Sequence, residues 1–340
     1  MAPNSASGIP LASRHLARTG SRVRRLALCA LSALAFGAAA QTYPTKPVKI
    51  IVAYSAGGPM DVGARAVAAG LTKALGQPFV VENKTGAGGR IGTEAVVRSE
   101  PDGYTLMYAI ADQLAINPHI FPKTGYDVLT AFEPVAPLGR MPQVVAVSPN
   151  FPEKDGQGLI RRAKASPGEV TYASWGIGSL AHLSGVMMEQ IAGVDMLHVP
   201  FQGGAPAQQA LLAGQVDMLL VPVPYAEAQS KAGRIKMLGL TSTQRNPQHP
   251  LIPTMAEQGF PEYAADTWSG FLVPKGTPAP VKATLARAIH EFVTSPAGQA
   301  QLRDIGFEPM TEGSAEFGAF IRSEYDRWGA LVRSRRIAVQ

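Results

Sequence analysis

A glycine-rich turn after the first apolar strand-like segment has the layout of an anion-binding loop. Residues 48–53 are rich in Val and Ile, and they lead into Tyr54-Ser55-Ala56-Gly57-Gly58-Pro59-Met60-Asp61, which opens a helical pattern that continues to Leu75. The first amides of a helix have no partner within it, and the helix dipole favours negative charge at that end. The N–H groups of Gly58, Met60 and Asp61 could therefore bind a carboxylate. The alternative is an ordinary turn between a strand and a helix.

Asp61 adds a negative charge to this loop, where it would repel an anion. Its carboxylate could cap the helix, pin the loop, or accept an ammonium or amide N–H of a ligand. We favour capping, because Gly58, Pro59 and Asp61 have the spacing of an N-cap, an N1 proline and an N3 carboxylate.

A second glycine loop, Thr85-Gly86-Ala87-Gly88-Gly89-Arg90-Ile91-Gly92, follows the apolar run 79–82. Its spacing is G-x-G-G-x-x-G, whereas a dinucleotide-binding turn requires G-x-G-x-x-G and an acidic residue about 20 positions further on. We therefore expect glycines that shape a helix start and a solvated Arg90.

Two further loops join a strand to a helix, at Ser174-Trp175-Gly176-Ile177-Gly178-Ser179 and at Phe201-Gln202-Gly203-Gly204. Ser179 is a natural N-cap, the Phe201 ring could form a wall of a pocket, and Gly203 could offer a backbone donor. Ser179 and His182 could instead serve a hydrolase or lyase as nucleophile and base. We reject this alternative, because a G-x-S-x-G turn and a third residue to orient the base are missing.

The sequence predicts neither a metal site nor a cofactor. The histidines that could act as ligands are scattered and have no metal-ligand spacing; they are His119, His182, His198, His249 and His290. We expect His198 to be a core residue rather than a ligand-binding one.

The first forty residues have the pattern of a secretory signal peptide. Five arginines precede the apolar run 26–36, and Gly37-Ala38-Ala39-Ala40 follows it, so we expect cleavage near Ala40. Export by the Sec or the twin-arginine route stays open. A membrane anchor is less favoured, because the run is shorter than the ~20 apolar residues of a bilayer span.

Removal of this segment changes the charge and the cysteine content of the chain. Residues 41–340 contain 26 Lys and Arg against 25 Asp and Glu, and they lack the single cysteine, Cys29. The near-zero charge gives no support to a nucleic-acid partner, and the absence of thiols suits an oxidising compartment such as the bacterial periplasm.

Short apolar runs alternate with helical patterns through most of residues 41–340. This alternation predicts an α/β fold with mostly parallel sheets and helices on both faces. A chain of this length favours two lobes over one core. The segment 134–149, broken by Pro137 and Pro142, would cross between the lobes, and the proline-rich segment 241–253 would be a surface loop. The glycine loops would then meet at the carboxyl ends of parallel strands, where open α/β sheets bind ligands.

Short motifs follow one another in a fixed order along this part of the chain. They include Ala56-Gly57-Gly58-Pro59-Met60-Asp61, Val81-Glu82-Asn83-Lys84-Thr85-Gly86, Pro101-Asp102-Gly103-Tyr104-Thr105-Leu106, Ile116-Asn117-Pro118, His198-Val199-Pro200-Phe201, Gly214-Gln215-Val216-Asp217 and Pro274-Lys275-Gly276-Thr277-Pro278. In this order the set resembles the extracytoplasmic solute receptors of the tripartite tricarboxylate transporter family, the Bug-type receptors.

The resemblance implies a two-lobed periplasmic binding protein of the Venus-flytrap type II class. Lobe I would comprise residues 41–143 and 263–340, lobe II residues 144–262, and the C-terminal segment would return to the first lobe. Receptors of this family bind small carboxylates, often di- or tricarboxylates or acidic amino acids, through backbone groups of the first loop and of the loop 174–179. With the loops described above, the expected ligand-binding residues are Tyr54, Ser55, Ala56, Gly57, Gly58, Asp61, Ser174, Gly178, Ser179, Phe201 and Gly203.

Three positions depart from the pattern of the family. Ala53-Tyr54 stands where a proline and an aromatic residue are usual, Met60 where a small hydroxyl residue is common, and Gln202 where a basic residue is customary. The loss of the hydroxyl and of the cation suggests a ligand whose distal group is less charged or bulkier.

These observations predict a monomeric periplasmic receptor that closes on a small organic carboxylate without catalysing a reaction. It would deliver the ligand to integral-membrane transporter subunits or report it to a sensor ectodomain. The effector domain of a transcriptional regulator shares this architecture. Such a protein, however, would carry a DNA-binding helix-turn-helix and no export signal.

Overall fold

The computed structural model describes residues 43–121 and 125–337. The predicted signal peptide, its cleavage position and Cys29 lie outside these ranges. Contacts divide the chain between Thr45 and Lys46, and the architecture below is that of the part from Lys46 onward. Across the described ranges, no helix combines the length and the apolar composition that a bilayer span requires.

The strands, numbered along the chain, form two sheets. They are β1 (Val48–Val52), β2 (Phe79–Asn83), β3 (Thr105–Ile110), β4 (Phe132–Met141), β5 (Gln143–Val147), β6 (Thr171–Ser174), β7 (Leu197–Pro200), β8 (Met218–Pro222), β9 (Lys236–Leu240), β10 (Thr267–Pro274) and β11 (Glu308–Pro309). The first sheet has the order β11-β4-β10-β3-β1-β2, and the second has the order β7-β6-β8-β5-β9.

Helices connect and cover these strands. They are α1 (Pro59–Leu75), α2 (Arg90–Val97), α3 (Asn117–Ile120), α4 (Val128–Ala131), α5 (Gly156–Ala165), α6 (Leu180–Ala192), α7 (Gly204–Leu212), α8 (Val223–Lys231), α9 (Ala279–Thr294), α10 (Pro296–Asp304) and α11 (Ser314–Ser334). A 3₁₀ turn at Ala87–Gly89 precedes α2, and a π-helical turn at Asp112–Ile116 follows β3.

Helix α1 begins and ends where its sequence signals predict. Gly58 is the N-cap with extended backbone angles, Pro59 is the first helical residue, and Gly76 ends the helix in the left-handed conformation, with its N–H donating to the carbonyl of Thr72. The apolar face of the helix, including Val67 and Leu71, is fully buried. These local signals place the amino end of α1 directly after β1.

The C-terminal helix α11 packs against the first sheet. Trp268 on β10 and Trp328 on α11 are buried, and both indole N–H groups donate to the carboxylate of Glu324, at 3.0 and 3.2 Å. Arg327 also donates to this carboxylate, so the charge of Glu324 is compensated although its side chain is buried. The predicted return of the C-terminal segment to the first part of the fold is therefore confirmed.

The two-lobed α/β architecture is confirmed, and the predicted predominance of parallel strands needs a correction. Strand β1 is parallel to β2 and β3, and β6 is parallel to β7 and β8. In contrast, β10 is antiparallel to β3 and β4, and β5 is antiparallel to β8 and β9. Both sheets are therefore mixed.

Strand β4 lies in the segment that we expected to be broken by prolines. It pairs with β10 along its length but with β11 at only two positions, and its pairing with β10 contains two register shifts. Prolines are tolerated at such irregular or lightly paired positions, because the missing N–H is not needed there. The chain leaves the first sheet after Met141, enters the second at Gln143 and returns at Thr267. The exact lobe boundaries at 143/144 and 262/263 stay a prediction.

Candidate functional site

A cleft of about 1270 Å³ lies at the ends of strands from both sheets. Four loops line it: residues 53–60 after β1, 85–90 after β2, 175–180 after β6 and 200–206 after β7. Each of these loops leads into a helical segment, so helix amino ends gather at one place. This arrangement suits an anionic ligand, because backbone amides and helix dipoles contribute positive potential without a full charge.

The first loop is held in shape by the carboxylate of Asp61. This carboxylate accepts hydrogen bonds from the Gly57 N–H, the Arg65 guanidinium and the Asn83 side-chain amide, each at 2.9 Å. Asn83 also donates to the carbonyl of Tyr54 at 2.9 Å. The network ties both ends of the loop to the end of strand β2.

The charge of Asp61 is stabilised within the protein. Burial acts to raise the pKa of Asp61, but the hydrogen bonds from Arg65, Gly57 and Asn83 outweigh it and lower the pKa to about 2. The side chain is 3% exposed and does not lie on the cleft wall. The N-cap Gly58 receives no side-chain hydrogen bond. The interpretation of Asp61 as a helix cap is therefore wrong, and its carboxylate pins the loop.

The second loop requires its glycines for close packing and for its backbone conformation. Gly88 and Gly89 have positive φ angles of 66° and 91°, which residues with a Cβ rarely adopt. A Cβ on Gly92 would lie 2.8 Å from that of Ala53. The predicted structural role of these glycines agrees with this geometry. Arg90, expected to be solvated, is instead half-buried, stacks over the Phe121 ring at 4.4 Å and lines the cleft.

The third loop uses most of its polar groups for internal hydrogen bonds. The Gly176 N–H donates to the Ser174 hydroxyl, the Gly178 N–H donates to Nδ1 of His182 at 3.2 Å, and the Ser179 N–H donates to the Gly176 carbonyl. The Ser179 hydroxyl caps α6 by accepting from the His182 N–H, and it donates to the Gly176 carbonyl. The ring of His182 thus bonds to a backbone amide, and Ser179 is not activated as a nucleophile.

Two histidine rings stack behind this loop. The rings of His182 and His198 lie 4.0 Å apart at an angle of 18°, and Nε2 of His198 is 2.7 Å from the hydroxyl oxygen of Ser174. Burial lowers the pKa of both histidines to about 4, and for His182 the neighbouring His198 adds to the effect. Both rings are neutral at pH 7, so they support the loop as packed, uncharged groups.

Asp112 is the acidic residue of the cleft that the sequence interpretation missed. It follows β3 directly, is 6% exposed and lines the cleft wall. Its Oδ2 accepts from the N–H of Leu180, the first residue of α6, at 3.4 Å. Burial raises the pKa of Asp112 to about 6, although hydrogen bonds from Leu180 and the Trp175 side chain act in the opposite direction. Its position at the end of a buried strand was a usable signal, but the search concentrated on glycine loops.

Most of the expected ligand-binding residues lie together on the cleft wall. Those that line it are Tyr54, Ser55, Ala56, Gly57, Gly58, Gly178, Ser179, Phe201 and Gly203. Asp61 and Ser174 lie behind the wall, where they hold the first and third loops. Trp175 and Phe121 add aromatic surface to the cleft, and these side chains were not on the expected list.

The comparisons with known proteins decide the family. A sequence model described as the tripartite tricarboxylate transporter family receptor matches residues 63–337, which is most of the chain. The chain belongs to this family of receptors. The proteins of the family bind solutes, and the chain is a receptor rather than an enzyme.

Individual relatives and solved structures agree with this assignment. Protein BugT of Bordetella pertussis is 35% identical over 305 residues, which are 89% of this chain and 94% of BugT. The structure of Rpa4515 of R. palustris with adipate has a TM-score of 0.80 and 31% identity, covering 87% of this chain and all of that one. MatC from Rhodopseudomonas palustris with bound malate has a TM-score of 0.75 and 31% identity, covering 85% of this chain and all of MatC. The predicted resemblance to the Bug-type receptors is confirmed.

Proposed function

We propose that the protein is a periplasmic receptor that binds a small organic carboxylate in the cleft between its two lobes. The observation that carries the proposal is the convergence of four strand-to-helix loops from two sheets on one cleft. The two related structures with adipate and with malate support a carboxylate ligand for this fold.

The first loop offers the best site for the ligand's carboxylate. Gly58 and Met60 line the cleft at the start of α1, and the first amides of that helix have no acceptor within it. Asp61 is turned to the Gly57 N–H, Arg65 and Asn83, so its charge is already compensated where a ligand would approach. Arg90, also on the cleft wall, adds the one cationic side chain found there.

Closure of the two lobes would follow from contacts that the ligand makes with both. A ligand shifts the balance between open and closed forms only by the difference in its affinity for them. The lobes would comprise residues 41–143 with 263–340 and residues 144–262, joined by the crossings near Gln143 and Thr267. The closed receptor would then be recognised by integral-membrane subunits of the transporter or by a sensor ectodomain. The mature protein would begin near Gln41.

The proposal is tested by titration of a panel of carboxylates with the protein freed of co-purified ligand by unfolding and refolding. Isothermal calorimetry and thermal shift should detect at least one small carboxylate that binds and raises the melting temperature. Ala205 is exposed, lines the cleft and lies in the first turn of α7, so Ala205→Trp should fill the cleft. We expect this variant to lose affinity by about 10-fold or more.

Ala300→Trp is the matched control, because Ala300 is exposed on α10, away from the cleft. It should bind as tightly as the wild type. The proposal is overturned if no carboxylate of the panel binds, or if Ala205→Trp leaves the affinity unchanged.

A further inference from the structure

The cleft carries one positive and one negative side chain. Among the residues that line it, which all belong to the described part of the chain, only Arg90 and Asp112 are charged. A dicarboxylate would bring two negative charges into a wall that offers one cation and already holds one anion. A ligand with one carboxylate and one ammonium group would match both wall charges.

The carboxylate of Asp112 is held from one side and free on the other. The Leu180 N–H and the Trp175 side chain donate to it, whereas Oδ1 is buried and has no hydrogen-bond partner among the described residues. A buried acceptor without a partner is costly, and the cost is larger when the group is charged. The arrangement therefore leaves a place for a donor that the protein does not supply.

A second unpaired polar atom lies beside the first. The hydroxyl oxygen of Tyr54 is buried, and it too has no partner among the described residues. Burial raises the pKa of Tyr54 well above its usual value, and the nearby charge of Asp112 adds to the effect. Tyr54 follows β1 and Asp112 follows β3, which are neighbouring parallel strands. Both side chains also line the cleft.

We infer that Asp112 and Tyr54 form a subsite for an amino group, so that the ligand is an amino carboxylate rather than a dicarboxylate. The inference rests on the proposed function, because it assigns the two ends of a ligand in the same cleft. The ammonium would donate to Oδ1 of Asp112 and to the Tyr54 hydroxyl oxygen. The carboxylate would meet the amides at the start of α1 and the guanidinium of Arg90. An ammonium has three donors and can satisfy both unpaired oxygens at once.

The test compares ligands that differ only at the distal group. Calorimetry at pH 7.5 would use 4-aminobutyrate against succinate and 4-hydroxybutyrate, 5-aminovalerate against glutarate and 5-hydroxyvalerate, and aspartate against succinate and malate. We expect an amino compound to bind about 10-fold or more tightly than its dicarboxylate and hydroxy partners.

Two variants test the residues of the subsite. Asp112→Asn keeps the shape and the acceptor for Leu180 but removes the charge, and it should weaken the amino compound by about 10-fold or more while leaving the dicarboxylate equal or tighter. Tyr54→Phe should weaken the amino compound by a smaller factor. Asp304→Asn is the matched control, because Asp304 is exposed at the end of α10, away from the cleft. Circular dichroism melts would establish that each variant is folded.

The results separate this inference from the proposed function. If dicarboxylates or hydroxy acids bind more tightly than their amino partners and Ala205→Trp blocks them, the amino subsite is overturned and the receptor proposal stands. If Asp112→Asn binds the amino compound as tightly as the wild type, the subsite is likewise overturned. If no carboxylate binds at all, both fall.

Discussion

Substitution of Asp61 by Asn should destabilise the protein and loosen the first loop of the cleft. The carboxylate accepts from the Gly57 N–H, Arg65 and Asn83, and Asn83 in turn donates to the Tyr54 carbonyl. An amide in place of the carboxylate removes the charge and presents a donor to one of these donors. Because the loop lines the cleft, the affinity for the ligand should fall with the stability.

The pKa of Asp61 sets the size of the effect. The change from the ordinary value of 3.8 to about 2 corresponds to about 2 kcal/mol of stability at neutral pH. Arg65 is half exposed, and solvent weakens its contribution, so we expect a loss of about 1–2 kcal/mol. The folded-state pKa is the lower one. The contribution of the carboxylate is therefore complete above pH 4, and it is lost as the pH falls through the range from 3.8 to about 2.

Urea unfolding of the wild type and Asp61→Asn at pH 7, 5 and 3 measures this difference. The gap between the two proteins should be equal at pH 7 and 5 and clearly smaller at pH 3. Glu94→Gln is the control, because Glu94 forms an exposed ion pair with Arg98 on α2 and should change stability by less than about 0.5 kcal/mol. A gap below ~0.5 kcal/mol at pH 7 would refute the reasoning, as would a gap that does not narrow at pH 3.

Three further variants test the packing around the cleft. Burial lowers the pKa of His182 from 6.5 to about 4, so His182→Asn should gain stability relative to the wild type as the pH falls from 6.5 to 4, by roughly 2–3 kcal/mol at pH 4 in urea titrations. Gly185→Ala would place a Cβ 2.2 Å from the buried Tyr172 ring, and its melting curve should show a loss of about 1–3 kcal/mol. Thr241→Val removes the hydroxyl that donates to Asp266 at 2.6 Å, and urea unfolding at pH 7 should show a similar loss of about 1–3 kcal/mol. Unchanged stability in any of the three would contradict the contact that it removes.

The sequence predicted those elements whose boundaries are set by local signals. Helix α1 follows from Gly58, Pro59 and Gly76, and α10 begins at the expected Ser295, whose side chain accepts from the Gly298 N–H. Strand β4 could not be predicted in this way. It owes its conformation to β10, which lies more than a hundred residues away in the sequence, and local signals carry no information about such a partner.

The candidate site was predictable only in its backbone. Glycine loops announce themselves in the sequence, and those of residues 54–60 and 175–179 do line one cleft. The functions of the polar side chains depended on their distant partners. Asp61 meets Asn83 on another strand, and Asp112 meets the start of α6 on the other sheet. Residue type and spacing cannot distinguish a carboxylate that is fully paired from one that has an oxygen left over.

The two helix amino ends that face the cleft are not equivalent, and this difference determines where a ligand can place its charges. At α6 the Leu180 N–H already donates to Asp112, and the Gly178 N–H donates to His182. The protein thus supplies its own carboxylate at that end, and a ligand carboxylate there would face Asp112 at close range. At α1 the acidic residue Asp61 is drawn back by Arg65 and Asn83. The resemblance to the family implied an equal grip by both loops, whereas these hydrogen bonds favour a carboxylate at α1 and a group of opposite charge toward α6.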